Sequence, residues 1–185
     1  MKKGYLIAIG ILVLFALWVF SSYNKLVPLN EQADAQWGQV ENAYQRRFDL
    51  IPNLVNSTKA VLGQEQKVYG EIAEARTRYS GATSPDGKAA AASQLEGALG
   101  RLLVITENYP QLASSGTVRD LMVSLEGTEN RINVERNRFN DIVQMYNTKV
   151  KTFPTNIIAR VFGFNTRSYF KATTEAATVP TVILQ

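Results

Sequence analysis

The chain has 185 residues, of which 45% are hydrophobic and 19% charged, and its formal net charge at pH 7 is +4. Basic and acidic residues alternate through most of the sequence, so this mild charge does not predict the basic stripe of a nucleic-acid-binding surface. Cysteine and histidine are both absent, which excludes disulfides, thiolate nucleophiles, imidazole bases and Cys/His metal sites, and we expect no cofactor.

The N-terminal region carries an uncharged apolar run from Gly4 to Phe20. About 17 helical residues at 1.5 Å each give roughly 26 Å, just enough to span the core of a bilayer. Tyr5, Trp18 and Tyr23 lie near the two ends, where aromatic residues favour the headgroup zone. The alternative is a signal peptide, because residues 19–21 form a weak cleavage pattern, but the run is longer than the usual apolar core of such a peptide. We therefore expect an uncleaved transmembrane anchor.

The charges that flank this run predict its orientation. Lys2, Lys3 and the α-amine precede it, whereas Lys25 is the one basic residue that follows before Arg46. By the positive-inside rule, the N-terminus lies in the cytoplasm and the rest of the chain faces outward.

Two amphipathic helices are predicted next, from apolar residues at three- and four-residue steps. The first begins near Asn30, after Pro28 interrupts the chain. Pro52 then kinks this helix or opens the second, because proline lacks the amide hydrogen that a helix interior needs. The second helix ends near Tyr79, where the turn-forming residues SGATSPDG begin.

Two further helices complete the predicted domain. The third runs from about Lys88 to Tyr109, where Pro110 stops it. The fourth is about 30 residues long, and its apolar residues recur at seven-residue intervals. These are Val118, Leu125, Ile132, Phe139 and Tyr146.

The predicted fold is therefore all-α, with an N-terminal transmembrane helix followed by an antiparallel, up-down four-helix bundle of long helices. The anchor occupies residues 1–27 and the bundle residues 28–153. Residues 154–185 hold a short amphipathic helix, NIIARVFGF, and a tail, TVPTVILQ, whose composition is typical of a strand.

Charged residues interrupt two of the apolar stripes. Glu129 and Arg136 occupy core positions of the fourth helix, seven residues apart, and Glu65 does so in the second helix, with Arg76 nearby. A lone buried carboxylate would cost several kcal/mol, and an arginine partner offsets much of that cost. We therefore predict a buried charge layer of these four residues that holds the helices in register.

A catalytic or metal site is the alternative interpretation of the same charges. Glu65, Glu107 and Glu129 would be its carboxylates, in a hydrolase or a metal-binding bundle. The usual bundle metal motif requires Glu-x-x-His, however, and the chain has no histidine. We expect no catalytic or metal-ligating residue.

Several stretches resemble one family. The stretch from Tyr23 to Val55 reads YNKLVPLNEQADAQWGQVENAYQRRFDLIPNLV and resembles the start of the LemA family of bacterial membrane-anchored proteins. Three later stretches are similar to the same family, namely EARTRY, LGRLLVITENYPQL and LEGTENRINVERNRFND. The resemblance covers nearly the whole chain and implies an N-terminal transmembrane helix with an antiparallel helical bundle.

The resemblance supplies no activity. Its strongest motif, a family signature without an assigned role, comprises Arg46, Arg47, Asp49, Pro52 and Asn53. We interpret this motif as architecture around a proline kink, with a binding site as the alternative.

Two functions are compatible with these patterns. We favour a non-enzymatic scaffold or interaction protein, single-pass in the bacterial cytoplasmic (inner) membrane, that forms homo-oligomers or contacts other membrane proteins. The alternative is the carboxylate-dependent hydrolase or metal-binding bundle described above. The predicted oligomer contacts are apolar residues beyond the bundle, namely Ile157, Ile158, Val161, Phe162, Phe164, Val182 and Ile183.

Overall fold

The computed structural model describes residues 2–59 and 66–171. All of the regular secondary structure in these residues is helical, which confirms the all-α class. The six helices of this part of the chain are α1 Lys2–Lys59, α2 Gln66–Gly81, α3 Pro85–Glu107, α4 Pro110–Ala113, α5 Gly116–Lys151 and α6 Thr155–Val161. The up-down four-helix arrangement stays a prediction.

The first helix is longer than the sequence predicts. The predicted start near Asn30 is wrong, because α1 runs unbroken through Pro28, and it also continues through Pro52 to Lys59. A proline inside a helix removes one backbone hydrogen bond and costs about 3 kcal/mol. Buried neighbours offset this cost, since Leu26 and Leu54 are almost completely enclosed, and such packing commonly overrides local propensity.

Helices α2 and α3 pack against each other. The predicted third helix began at Lys88, but α3 begins at Pro85 because Ser84 caps it. The Ser84 side chain accepts a hydrogen bond of 3.1 Å from the amide of Gly87, which satisfies one of the free donors at a helix start. An ion pair of 2.5 Å between Arg101 and Glu71 also joins the two helices.

Helix α5 confirms the periodic signal and extends it, with 36 residues where the sequence predicts about 30. The five apolar residues at seven-residue intervals are all buried. The short helix predicted after Pro154 is also present, as α6.

The chain forms two compact units, which we describe separately. Among the described residues, the first unit comprises 2–39 and 137–168, and the second comprises 40–59, 66–136 and 169–171. Each unit therefore combines segments that are distant in sequence. The predicted division at residues 27 and 153 stays a prediction.

The core of the first unit includes residues from α1 and α6. Leu26, Ile158 and Ala159 form a buried cluster, against which four partly buried residues pack, namely Trp18, Val19, Val150 and Phe164. The first unit buries Ile158 and packs the partly buried Phe164 against this cluster, and the predicted contacts of these two residues with another copy of the chain stay a prediction.

A glycine ends α6 and directs the following residues. Gly163 has a φ of 78°, which a residue with a side chain rarely adopts. The amide of Phe164 then donates to the carbonyl of Ala159 at 2.8 Å, the bond that marks a Schellman motif. This turn places Phe164 on the apolar cluster.

Arg167 ties the segment after α6 to α1. Its guanidinium binds both carboxylate oxygens of Asp34, at 2.6 and 2.7 Å, and the side-chain oxygen of Asn30, at 2.8 and 3.1 Å. The hydrogen bonds to Asp34 are the largest cause of the raised pKa of Arg167. Asn147 of α5 adds two bonds of 2.8 Å to the Arg167 backbone. Nothing in the sequence patterns singled out Arg167.

Candidate functional site: a buried charge cluster and an exposed apolar helix

Four charged residues of the second unit are joined to one another by ion pairs. Arg47 of α1 reaches Glu129 of α5 at 2.5 Å and Glu96 of α3 at 3.6 Å. Arg136 of α5 reaches the same Glu96 oxygen at 3.3 Å. We call these four residues the charge cluster. Two guanidinium groups face two carboxylates, so the formal charges cancel, and the cluster links three helices.

Both arginines of the charge cluster are buried. The side chain of Arg47 is 7% exposed and that of Arg136 is 10% exposed. Burial raises the pKa of the Glu96 carboxyl and the Glu129 charge raises it further, whereas Arg136 and Arg47 oppose the rise. The fold therefore depends on the pairing, because a buried arginine without its carboxylate would be strongly unfavourable.

Aromatic side chains lie beside this cluster. The Tyr44 ring lies 5.1 Å from that of Tyr79 and 6.2 Å from that of Phe170, measured between centroids. The Arg136 guanidinium lies 4.4 Å from the Phe170 ring centroid, close enough for a cation–π interaction. Burial is the main cause of the raised pKa of the Tyr44 and Tyr79 hydroxyls, so both phenols remain neutral at physiological pH.

The Tyr44 hydroxyl is a buried polar group at the centre of the second unit. It lies close enough to Glu96 to lower the pKa of that carboxyl, although no hydrogen bond of ordinary geometry joins it to another described group. Such a group costs stability. The Nε atom of Arg47 and the Tyr79 hydroxyl are likewise buried without such a bond.

Two of the four predicted layer residues take part in the cluster. Glu129 has an arginine partner, as predicted, but that partner is Arg47, which was assigned only to the family signature. Arg136 is buried and pairs with Glu96 rather than with a carboxylate of the predicted layer. The placement of Arg76 is wrong, because its side chain is exposed. Glu65 lies outside the described residues.

The residues that sequence reasoning missed did leave a signal. Arg47 lies seven residues from both Val40 and Leu54, which are buried on α1, so it continues their stripe. Glu96 follows Ala92 by four residues on the buried alanine face of α3. Extending the seven-residue search to charged residues on these two helices would have found both.

The family signature does not form one site. Arg47 is buried in the charge cluster, whereas Arg46, Asp49 and Asn53 are exposed. Asp49 accepts a hydrogen bond of 2.9 Å from Gln45 on the same helix. Pro52 is half-buried and does not break α1. The architectural interpretation of the motif stays a prediction, without the restart at Pro52.

Pro52 lies in an open groove between α1 and α2, with a volume of about 580 Å³. The lining mixes apolar and polar side chains, including Ile51, Pro52, Tyr69, Ile72, Arg76 and Thr77. Tyr69 donates a hydrogen bond of 3.1 Å to the Thr58 hydroxyl, which joins the two helices. The groove contains no arrangement of a nucleophile and a base among these lining residues.

The hydrolase or metal-binding alternative requires Glu65, Glu107 and Glu129 to lie together. The described part of the chain does not bring Glu107 and Glu129 together, and Glu65 lies outside it. Glu107 is exposed at the end of α3, and Glu129 is paired with Arg47. Within residues 2–59 and 66–171, no three acidic side chains converge as a metal site would need.

The first part of α1 differs from every other described segment. Residues 3–17 are exposed, although they are nearly all apolar. Partial burial begins at Trp18. In the described residues α1 is the one helix that is long and apolar enough to cross a membrane. An exposed apolar surface of this size would be very unfavourable in water.

Comparison with known proteins identifies the relatives of this chain. The model of the LemA family matches residues 36–183. Magnetosome protein MamQ 2 of Paramagnetospirillum magneticum is 28% identical, across 86% of this chain and 68% of the relative. Magnetosome protein MamQ of Magnetospirillum gryphiswaldense is 29% identical, with the same coverage of each chain.

We predict that Glu129→Ala lowers the free energy of unfolding by about 1 to 4 kcal/mol, because it leaves Arg47 without its shortest ion pair. Glu129→Gln should cost less, since an amide oxygen still accepts a hydrogen bond. The measurement is chemical unfolding in mild detergent, followed by circular dichroism. Glu126→Ala, at an exposed position of the same helix, is the control and should change stability by less than about 0.5 kcal/mol. Equal unfolding midpoints for Glu129→Ala and the wild type would contradict the structural role of the pair.

We also predict a pH dependence that comes from Glu96. Its pKa is raised from 4.5 in the folded protein, so the folded protein binds this proton at higher pH than the unfolded chain does. The contribution of Glu96 to stability is therefore present at low pH and is lost as the pH rises from about 4.5 through the folded pKa. Glu96→Gln removes this titration. The stability of the wild type relative to Glu96→Gln should fall as the pH rises, and a relative stability that increases with pH would contradict the prediction.

Proposed function

We propose that this chain, which belongs to the LemA family, is a membrane-anchored, non-enzymatic scaffold or interaction protein of the bacterial envelope. One observation carries the proposal: α1 is a single helix whose first part is apolar and exposed and whose later part supplies buried residues to both compact units. The first unit, which contains the apolar segment, can therefore lie at a membrane surface without a flexible linker.

The charge cluster supports a role without catalysis. Both of its carboxylates are ion-paired with arginines, and the four charges join three helices of the second unit. Such an arrangement suits the specification of helix register better than proton transfer. The names of the MamQ relatives refer to the magnetosome and to no reaction, which supports the same proposal.

The proposed orientation follows from the charges near the apolar segment. Lys2 and Lys3 precede it, and Lys25 alone follows before Arg46. We place the N-terminus in the cytoplasm and the part of the chain that follows the apolar segment on the outer side of the cytoplasmic membrane, in a single-pass arrangement.

The anchor can be tested with charges in the apolar segment. Leu12 and Phe15 are exposed on α1, and each arginine near the centre of a transmembrane helix costs about 2.5 to 3.5 kcal/mol. We expect the wild type to stay in the membrane pellet after carbonate extraction and the double variant Leu12→Arg, Phe15→Arg to move into the supernatant. Gln32→Arg, beyond the apolar segment on the same helix, is the control and should stay in the pellet. Release of the wild type by carbonate would overturn the proposal.

We further propose that the anchored chains self-assemble through the C-terminal tail. Residues 178–185 are rich in β-branched side chains, and a helical fold offers such a segment no sheet edge to pair with. Anchors in one bilayer hold neighbouring copies parallel, so that tails of adjacent copies could pair around a closed ring. Val182 and Ile183, two of the predicted contacts, lie in this tail and outside the described residues.

Assembly is tested by the mass of the protein in mild detergent, measured by light scattering. We expect the full-length chain to form a discrete species of several copies and a version that ends at Lys171 to be monomeric. Ending at Lys171 keeps α6 and the Arg167 contacts, whereas a version that ends at Phe153 would also damage the first unit. Equal monomer masses for the two proteins would overturn self-assembly and leave the anchor unaffected.

A further inference from the structure

The outer surface of α6 carries apolar residues that assembly through the C-terminal tail does not use, although three of them, Ile157, Val161 and Phe162, were predicted as oligomer contacts. Phe153 is 74% exposed, Ile157 49%, Val161 72% and Phe162 49%. We call these four residues the α6 foot. We propose that the α6 foot lies at the membrane surface and inserts among anionic lipids, as a second membrane contact beside the anchor. This inference rests on the proposed membrane anchoring and adds a site to it.

The contacts of α6 with α1 determine how deep α6 lies relative to the bilayer surface. The buried side of α6, formed by Ile158 and Ala159, belongs to the cluster that Trp18 and Val19 of α1 pack against. On the other side of the same junction, the Tyr23 ring lies 5.1 Å from that of Phe162. Helix α6 is therefore attached to the last turns of the apolar segment of α1.

The length of the segment shows that these turns lie within the membrane. From Gly4 to Leu17, where α1 is exposed on all sides, about 14 residues rise only about 21 Å. The hydrocarbon core of a bilayer is about 30 Å thick and needs about 20 helical residues. A core of about 30 Å measured from Gly4 reaches about Tyr23, three residues beyond the uncharged run that ends at Phe20. The contacts of α6 with Trp18, Val19 and Tyr23 thus fall at the depth where acyl chains meet headgroups.

The surface of α6 matches that environment. Ile157 and Val161 are four residues apart and share one face of the helix, opposite the buried pair Ile158 and Ala159. Single exposed apolar residues are common, but a group of large ones marks an interaction surface. A short helix with one apolar face can lie about 5 to 10 Å deep in the interface.

The charge of the region favours anionic lipids. From residue 142 to residue 174 the sequence contains no aspartate or glutamate. It does contain exposed basic residues before and within the α6 foot, namely Lys149, Lys151 and Arg160. Basic residues beside an apolar surface bind negatively charged headgroups while the apolar side chains enter the acyl region.

A second copy of the chain fits this surface less well than lipid does. A stable protein interface buries about 800 Å² on each partner, and the foot consists of a seven-residue helix and its two flanking aromatic rings. The Schellman turn at Gly163 and the Arg167 bonds to Asn30 and Asp34 also hold the foot beside α1. Lipid contact thus needs no rearrangement of the first unit.

The experiment uses the absence of cysteine, because a single introduced cysteine is then a unique labelling site. Three full-length variants, V161C, L12C and Q32C, each carry a nitroxide label in liposomes of phosphatidylcholine and phosphatidylglycerol. The collision rate of each label is measured with oxygen, which concentrates in the bilayer, and with a nickel chelate, which stays in water. The ratio of the two rates reports depth.

We expect a several-fold higher ratio at V161C than at Q32C, which lies about 14 Å beyond Tyr23 along α1, and the highest ratio at L12C. In liposomes of phosphatidylcholine alone, the ratio at V161C should fall while that at L12C does not. A V161C ratio equal to that of Q32C, with L12C in lipid, would overturn the inference and leave the anchor intact. Low collision rates with both reagents at V161C would also overturn it, in favour of contact with a second copy. A water-exposed L12C would overturn the anchor together with the inference.

Discussion

The apolar first part of α1 has to pair its own backbone amides and carbonyls where water is absent. The helix that results also supplies buried residues to the rest of the structure. In lipid, no water is available to pair with free amides and carbonyls, so a spanning segment has to be helical. The helix does not end where the apolar segment ends, but continues to Lys59. Both compact units are built on it, since Leu26 is buried in the first and Arg47 in the second.

The two units are held by different kinds of interaction. The first unit combines an apolar cluster around Leu26 with the hydrogen bonds of Arg167 to Asn30 and Asp34. The second unit contains the charge cluster, in which Arg136 lies over the Phe170 ring, and Phe170 lies beside Tyr44. A buried ion pair adds little net stability, because desolvation offsets the attraction, but it strongly disfavours any arrangement that leaves one partner unpaired. The charge cluster thus links α1, α3 and α5 within the second unit, and its role in setting their register stays a prediction.

The family signature acquires a partial explanation from this arrangement. Arg47 is the buried member and forms the shortest pair of the charge cluster. Pro52 lies in the groove between α1 and α2, where α1 tolerates the missing backbone hydrogen bond because buried residues flank it. Arg46 and Asn53 are exposed, and no described contact gives them a role. A scaffold needs such surface positions to meet its partners, which agrees with the proposed function.

The sequence by itself determined the features that depend on local order. The apolar run from Gly4, the seven-residue spacing of α5 and the family motifs can each be recognised within one segment. Only the tertiary structure decided which residues from distant segments meet, because the periodicity of a helix shows which face is buried but not what covers it. Glu129 was recognised as a buried acid, yet its partner Arg47 lies 82 positions earlier in the chain. The same reason applies to Pro28 and Pro52, since local propensity predicts a break and only packing against other segments keeps α1 continuous.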